Sequence, residues 1–364
     1  MGQFQLLVWG NLFLIQVAFT EPANAWGFYA HKKINRQAVF SLPPEMIGFF
    51  KANITYITEN AVNPDRRRYA VKGEAEKHFL DADAYGDSAI YLLPRYWSGA
   101  VEQYGEKHLR EHGIAPWSTY QTFLQLVRAM QAKDKKAILR ISADLGHYIG
   151  DIHVPLHTTM NYNGQLTGQY GIHGFWESRI PELLSEDFDF LIGKADYLEQ
   201  PQLAIWDAII RSHEAVDSVL FFEKQLAENF PQNRKFSFEE RGGINTRVYS
   251  KGFTIAYNQA LQGQVERQMR STIKMVADMW YTAWILAGQP DLNNVGDYAP
   301  LEEEKFEPLE ELKKIRNEED QGKRPIPTPT GKTLPVWTIL GRTQYSWPIL
   351  QRYPQTQPRL LPVG

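Results

Sequence analysis

Apolar residues return at helical spacing along most of the chain between Trp26 and about Gly288. The clearest case is Ile138, Ile141, Leu145, Ile149 and Ile152, which share one face of a helix expected over Lys135 to His153. Thr119 to Gln131 carries a second amphipathic pattern. Ala30 to Phe40 reads as a shorter helix stopped by Ser41-Leu42-Pro43-Pro44, and another begins near Glu45. Asn63-Pro64-Asp65 marks a turn, and Pro94, Gly99 and Pro116 punctuate loops. Two long helical segments, Leu203 to Phe230 and Gly263 to Gly288, close the series. The stripe Met275, Met279, Trp280, Trp284 and Ile285 in the last of them is of the kind that packs into a core. Alternation at strand period is missing. The pattern therefore predicts an all-α fold, a single large helical domain over 26–290.

The character changes at both ends. Beyond Pro290 a charged stretch (Glu302 to Lys323) gives way to repeated Pro, so 291–364 reads as a C-terminal extension, partly helical and then irregular. Gly331-Lys332-Thr333 lacks the earlier Gly of a phosphate-binding loop. At the other end, Leu6 to Phe19 is an apolar run too short to span a bilayer comfortably, and Ala23-Asn24-Ala25 follows as a small-x-small cleavage pattern. We read 1–25 as a signal peptide, without the usual Lys or Arg before its core, and expect a secreted or periplasmic protein. No other segment reaches membrane-spanning length.

Composition narrows the chemistry. The absence of Cys removes thiolate zinc sites, thiol catalysis and disulfides. A formal net charge of −3 gives no basic footprint for a stable nucleic-acid complex, while leaving open an enzyme that hydrolyses one. The nine His then carry the interest. His147 and Asp151 are four apart on the expected Lys135–His153 helix and share a face; His173 and Glu177 repeat the spacing. Pro155 ends or kinks the helix, so His157 is free to turn back towards the first pair, across the polar loop Asn161 to Gly171. Imidazole and carboxylate in this mixture suit zinc, and the number of donors suits more than one ion. His153, out of phase with Asp151, reads as structural.

Taken in order, Trp26-Gly27-x3-His31, Asp65, His78-Phe79, His147-x3-Asp151-x5-His157 and His173-x3-Glu177 resemble the zinc-dependent phospholipase C / S1-P1 nuclease superfamily. The resemblance covers most of Trp26 to Glu177 and, more loosely, the helices to Gly288. It implies an all-helical domain with three zinc ions. Asp65, His78, His147 and Asp151 would bind the first ion; His157, His173 and Glu177 the second; the free amine and carbonyl of Trp26, with His31, the third. Asp151 would bridge the first and third. The remaining histidines, His108, His112, His153 and His213, have no slot in the pattern. Zinc lowers the pKa of bound water to roughly 7, which provides a nucleophile for in-line attack on phosphorus. Asp65 is the candidate to orient or deprotonate that water, and Arg68 matches a phosphate-contacting Arg; Arg66 and Arg67 also admit reading as solvated turn charges.

Two branches of the family are in view. Glu177 in the last ligand position, and Gly168-Gln169-Tyr170-Gly171-Ile172 where nucleases have Gly-Gly-Asn, favour phospholipase C, with a phospholipid headgroup as substrate. Arg68 and Phe79 resemble the nuclease positions for phosphate and base, which keeps an S1/P1-type single-strand nuclease/3′-nucleotidase as the alternative. Tyr29 stands where the phospholipases carry an acidic headgroup residue, and its ring can hold a quaternary amine by cation–π contact. A secreted zinc-binding protein without catalysis is the third reading.

Overall fold

A computed structural model describes residues 27–296, apart from 87 and 242. The expected signal peptide, Trp26 and nearly all of the C-terminal extension lie outside the described residues.

Two long helices form the centre, Ala115–Gln131 and Lys135–Asp151. Only Ala132, Lys133 and Asp134 separate them, so the chain doubles back at once. Lys133 takes a positive φ of 54°, and Asp134 caps the second helix, its carboxylate accepting from the Ala137 amide at 3.0 Å. The Gln264–Leu286 helix packs on both, and the Phe28–Ala38 helix packs on it and on Lys135–Asp151. The expected aromatic stripe is core: Met279 and Trp280 are fully buried, and the Trp280 indole stacks on Phe50 and donates to the Ser142 carbonyl at 3.2 Å.

Every residue from Ile141 to Asp151 is buried. A helix enclosed on all sides must find partners for each polar side chain it carries, and this one carries Asp144, His147 and Asp151. Gly146 makes the enclosure possible. A Cβ there would lie 2.0 Å from Asn35 Oδ1, so only glycine lets the Phe28–Ala38 helix come this close. The buried Asn35 side chain in turn donates to the Ala143 carbonyl at 3.0 Å.

Three elements differ from the sequence reading. The central helix ends at Asp151, not His153, because Val154 precedes Pro155 and is extended (φ −87°, ψ 117°). Leu203 to Phe230 is two helices, Pro201–Glu214 and Val216–Asn229, broken where the Ala215 amide bonds to the carbonyl of Ser212, three residues back. The fold is also not purely helical. Phe236–Arg241 pairs antiparallel with Ile244–Tyr249, from Phe236 opposite Tyr249 to Arg241 opposite Ile244. The Gly242-Gly243 step between the strands was the missed signal. Among the described residues no helix is long and apolar enough to cross a membrane.

Candidate metal centre

The turn of helix holding His147 and Asp151 lies at the middle of the site. The Asp151 carboxylate divides its oxygens. Oδ2 is 2.8 Å from His78 Nδ1 and 3.3 Å from His147 Nε2, whereas Oδ1 is 3.5 Å from His31 Nε2 and 3.9 Å from His157 Nδ1. Asp65 Oδ1 stands 3.7 Å from both His78 Nδ1 and His147 Nε2. Beside these, His157 Nε2 and His173 Nε2 approach Glu177 Oε2 at 3.5 and 3.0 Å. All eight described candidates, His31, Asp65, His78, His147, Asp151, His157, His173 and Glu177, thus meet in one region.

Three groups among them bring donor atoms within 4.8 Å of one another: His31, Asp65 and His147; His78, His147 and Asp151; and His157, His173 and Glu177. The last coincides with the set expected for a second ion. The first departs from expectation, since His31 also joins Asp65 and His147 and is not set apart with Asp151. The cause is packing: the His31 and His147 rings stack 3.8 Å apart at 19°, where the two helices cross near Gly146.

Backbone contacts aim the rings. His147 Nδ1 pairs with the Ala61 carbonyl at 2.9 Å and His157 Nδ1 with the His78 carbonyl, leaving each Nε2 to the cluster. Several donor atoms are buried and have no hydrogen-bond partner among the described residues, including His31 Nδ1, both oxygens of Asp65 and Asp151 Oδ1. Orphaned buried atoms of this chemistry are costly unless something else satisfies them. Nitrogen and carboxylate oxygen donors fit a borderline-soft divalent cation, so these buried groups could hold metal.

Electrostatics point the same way. Burial, helped by the neighbouring His147, drives the His31 pKa down to about 4, and burial lowers His78 to about 4 against the pull of Asp151. Both are neutral imidazoles near pH 7, the form that ligates. At His147 burial is outweighed by Asp151 and Asp65, which hold its pKa near 9. Burial, assisted by Asp151 and Glu177, raises Asp65 to about 6. Negative charge in the pocket is therefore balanced by a proton on His147, which a bound cation would displace.

The three consecutive arginines have three different environments. Arg66 is exposed, over the Phe28 ring at 5.5 Å. Arg67 is not a solvated turn charge. It grips Asp144 through two nitrogens at 3.2 and 3.0 Å and also meets Tyr148 and Glu74, both at 3.1 Å. This network ties the 65–78 segment to the central helix. Arg68 is half-buried, has no carboxylate partner among the described residues, and its charge acts on Asp65 and His78. Phe79 is half-buried. Tyr29 is engaged by the protein itself, its hydroxyl donating to Glu186 at 2.6 Å and Lys33 Nζ lying 5.5 Å from its ring.

Glu177 sits on an unusual element. His173 is in a short turn of α-helix (Ile172–Gly174), and Phe175–Arg179 continues as π-helix, so the pair does not share a regular α face. Arg179 braces this turn. It is buried, donates to the Tyr249 carbonyl at 3.1 Å and clasps Glu239 on the hairpin, with one nitrogen–oxygen distance of 2.8 Å. Phe175 stacks on Tyr249 at 3.8 Å. No sequence spacing could show Arg179 in this role, since its partners come 60 and 70 residues later. Trp26 lies outside the described residues, but its neighbour Gly27 packs against Ser178, where a Cβ would be 2.4 Å from Oγ. Neither known protein families nor curated proteins return a match for this chain.

Proposed function

We propose that the chain is an exported, zinc-dependent hydrolase of phosphodiester bonds, closest in character to a phospholipase C, with three zinc ions held by Trp26, His31, Asp65, His78, His147, Asp151, His157, His173 and Glu177. The observation that carries this reading is the convergence of eight separately spaced candidates on one buried cluster, with Asp151 presenting its two oxygens to different histidines. When bound, zinc supplies an activated water near neutral pH and neutralises charge growing on the phosphoryl group.

The chain's own residues do the rest. His147 and His157, fixed through Nδ1 by backbone carbonyls, hold the donor geometry rigid. Asp65, with both oxygens free of hydrogen bonds to the described residues, can orient a water and take its proton. Arg68, with no carboxylate partner among the described residues and with its charge acting on Asp65, would bind a phosphate oxygen.

That unpaired arginine, with half-buried Phe79, also favours the second reading, a single-strand nuclease. Glu177 in the last ligand position tips the choice towards phospholipid. A substrate panel on the zinc-replete protein separates them. A soluble phosphocholine ester should be cleaved faster than single-stranded DNA. Nuclease activity that dominates the panel and disappears in Arg68→Ala would move the protein to the other branch, and turnover of neither would leave a zinc-binding protein.

A further inference from the structure

Two aromatic rings stand at the start of the Phe28–Ala38 helix, and each already has a protein cation over it. The Arg66 guanidinium lies 5.5 Å from the centre of the Phe28 ring, and Lys33 Nζ lies 5.5 Å from that of Tyr29. The first contact joins the helix start to the short Asn63–Arg67 helix, which carries Asp65 and is followed by Arg68. Gly27, one residue before Phe28, packs on Ser178 beside Glu177. Phe28 and Arg66 therefore belong to one rim, which borders the cluster through His31, Asp65 and Glu177.

The carboxylates in contact with Tyr29, Lys33 and Arg67 are engaged. Glu186 accepts from Tyr29 at 2.6 Å and pairs with Lys33 at 2.7 Å. Arg67 holds Asp144 and Glu74, and Tyr148 and Lys77 share Glu74. Arg66 is different. It donates to the Asn63 side-chain oxygen at 3.4 Å, and neither it nor Arg68 has a carboxylate partner among the described residues. Two unpaired cations thus follow Asp65 within three residues, in a chain of net charge −3.

We propose that Arg66 is a specificity-determining residue, through which the site selects a phosphodiester whose second alcohol carries negative charge over one that carries a quaternary amine. This rests on the phosphodiesterase reading for the reaction, and on the charge of the rim for the selection. A quaternary amine is held by the negative face of an aromatic ring, an attraction that Arg66 and Lys33 already use at Phe28 and Tyr29. It would also meet the charge of Arg66 with no carboxylate to offset it. An anion instead meets a guanidinium that offers paired donors. The contact with Phe28 holds this exposed side chain in place, which lowers the entropy lost when an anion binds. With Arg68 at the scissile phosphate, Arg66 is left for an anion on the adjoining group.

The test is calorimetric titration of the zinc-replete full chain with three phosphomonoesters that differ in the charge of the alcohol: phosphoglycolate, glycerol phosphate and phosphocholine. Affinity should fall in that order, and added salt should narrow the spread. Arg66→Ala should reduce the ratio of phosphoglycolate to phosphocholine affinity about fivefold, and Arg66→Lys should restore most of it. Both variants should keep the urea midpoint of the parent, because Arg66 is exposed. A terminally phosphorylated dinucleotide, run beside phosphoglycolate, tells a strand from a small headgroup as the source of the anion; sensitivity of either one to Arg66→Ala supports the proposal. Phosphocholine bound as tightly as phosphoglycolate, no binding of any of the three, or a ratio unmoved by Arg66→Ala would overturn it. Hydrolysis is read separately on the p-nitrophenyl diesters of the same three monoesters, where kcat/KM should follow the same order. If the binding order holds and no diester is turned over, the phosphodiesterase reading fails and the charge selection stands.

Discussion

Asp151 turns one oxygen to His78 and His147 and the other to His31 and His157, so removing its charge acts on several neighbours at once. Burial opposes its ionisation, yet His147 and His157 hold its pKa well below the usual carboxylate range. Asp151→Asn keeps the shape and removes the anion. It should therefore lower bound zinc by more than His173→Ala, which removes one donor from one group, with the comparison read as zinc per chain at equal free zinc. Equal losses in the two variants would show that Asp151 serves a single ion. At this scale the sequence was informative, because the two members of each His–carboxylate pair, His147/Asp151 and His173/Glu177, lie only four residues apart. Arg67 was not legible in the same way: its partners Asp144 and Tyr148 lie 77 and 81 positions on, and nothing local distinguishes it from Arg66 or Arg68.

The elements hold the donors at two points that spacing alone does not reveal. The first is the helix crossing at Gly146. Gly146→Ala would press a methyl group into Asn35 and push the His31 helix away from His147, at a cost of about 1–3 kcal/mol for overpacking. The expected result is a lower midpoint in urea together with weaker zinc retention; an unchanged midpoint would mean that the helices part without strain. The second is the hairpin. Its clasp on Arg179 and its stack on Phe175 hold the π-helical turn that carries Glu177. Arg179→Ala should weaken metal binding at the His157, His173 and Glu177 group by about 10–100-fold, as loss of a supporting contact to a metal ligand does. Zinc titration should show one ion affected and the others retained. Helical periodicity read the long helices well because their burial is one-sided or complete over many turns. It missed the hairpin, whose two strands of six residues gave too little alternation to stand out, and it ran through the break at Ala215, where no Gly or Pro marks the change.

For the molecule as a whole, the proposed export and the proposed metal site meet at Trp26. An α-amine, with a pKa near 8, gives up its proton to a metal more readily than a lysine near 10, and a preceding peptide bond would replace it with a non-basic nitrogen. The packing of Gly27 on Ser178, next to Glu177, brings the start of the described chain beside the cluster. Mature protein should therefore begin at Trp26. One extra residue before it should cost one zinc and most of the turnover, whereas full activity with an uncleaved tag would remove Trp26 from the ligand set. The most direct test of the central claim is elemental analysis of the processed protein, purified without chelator and equilibrated with zinc. About three zinc ions per chain are expected, and a value of one or none would contradict the three-ion reading.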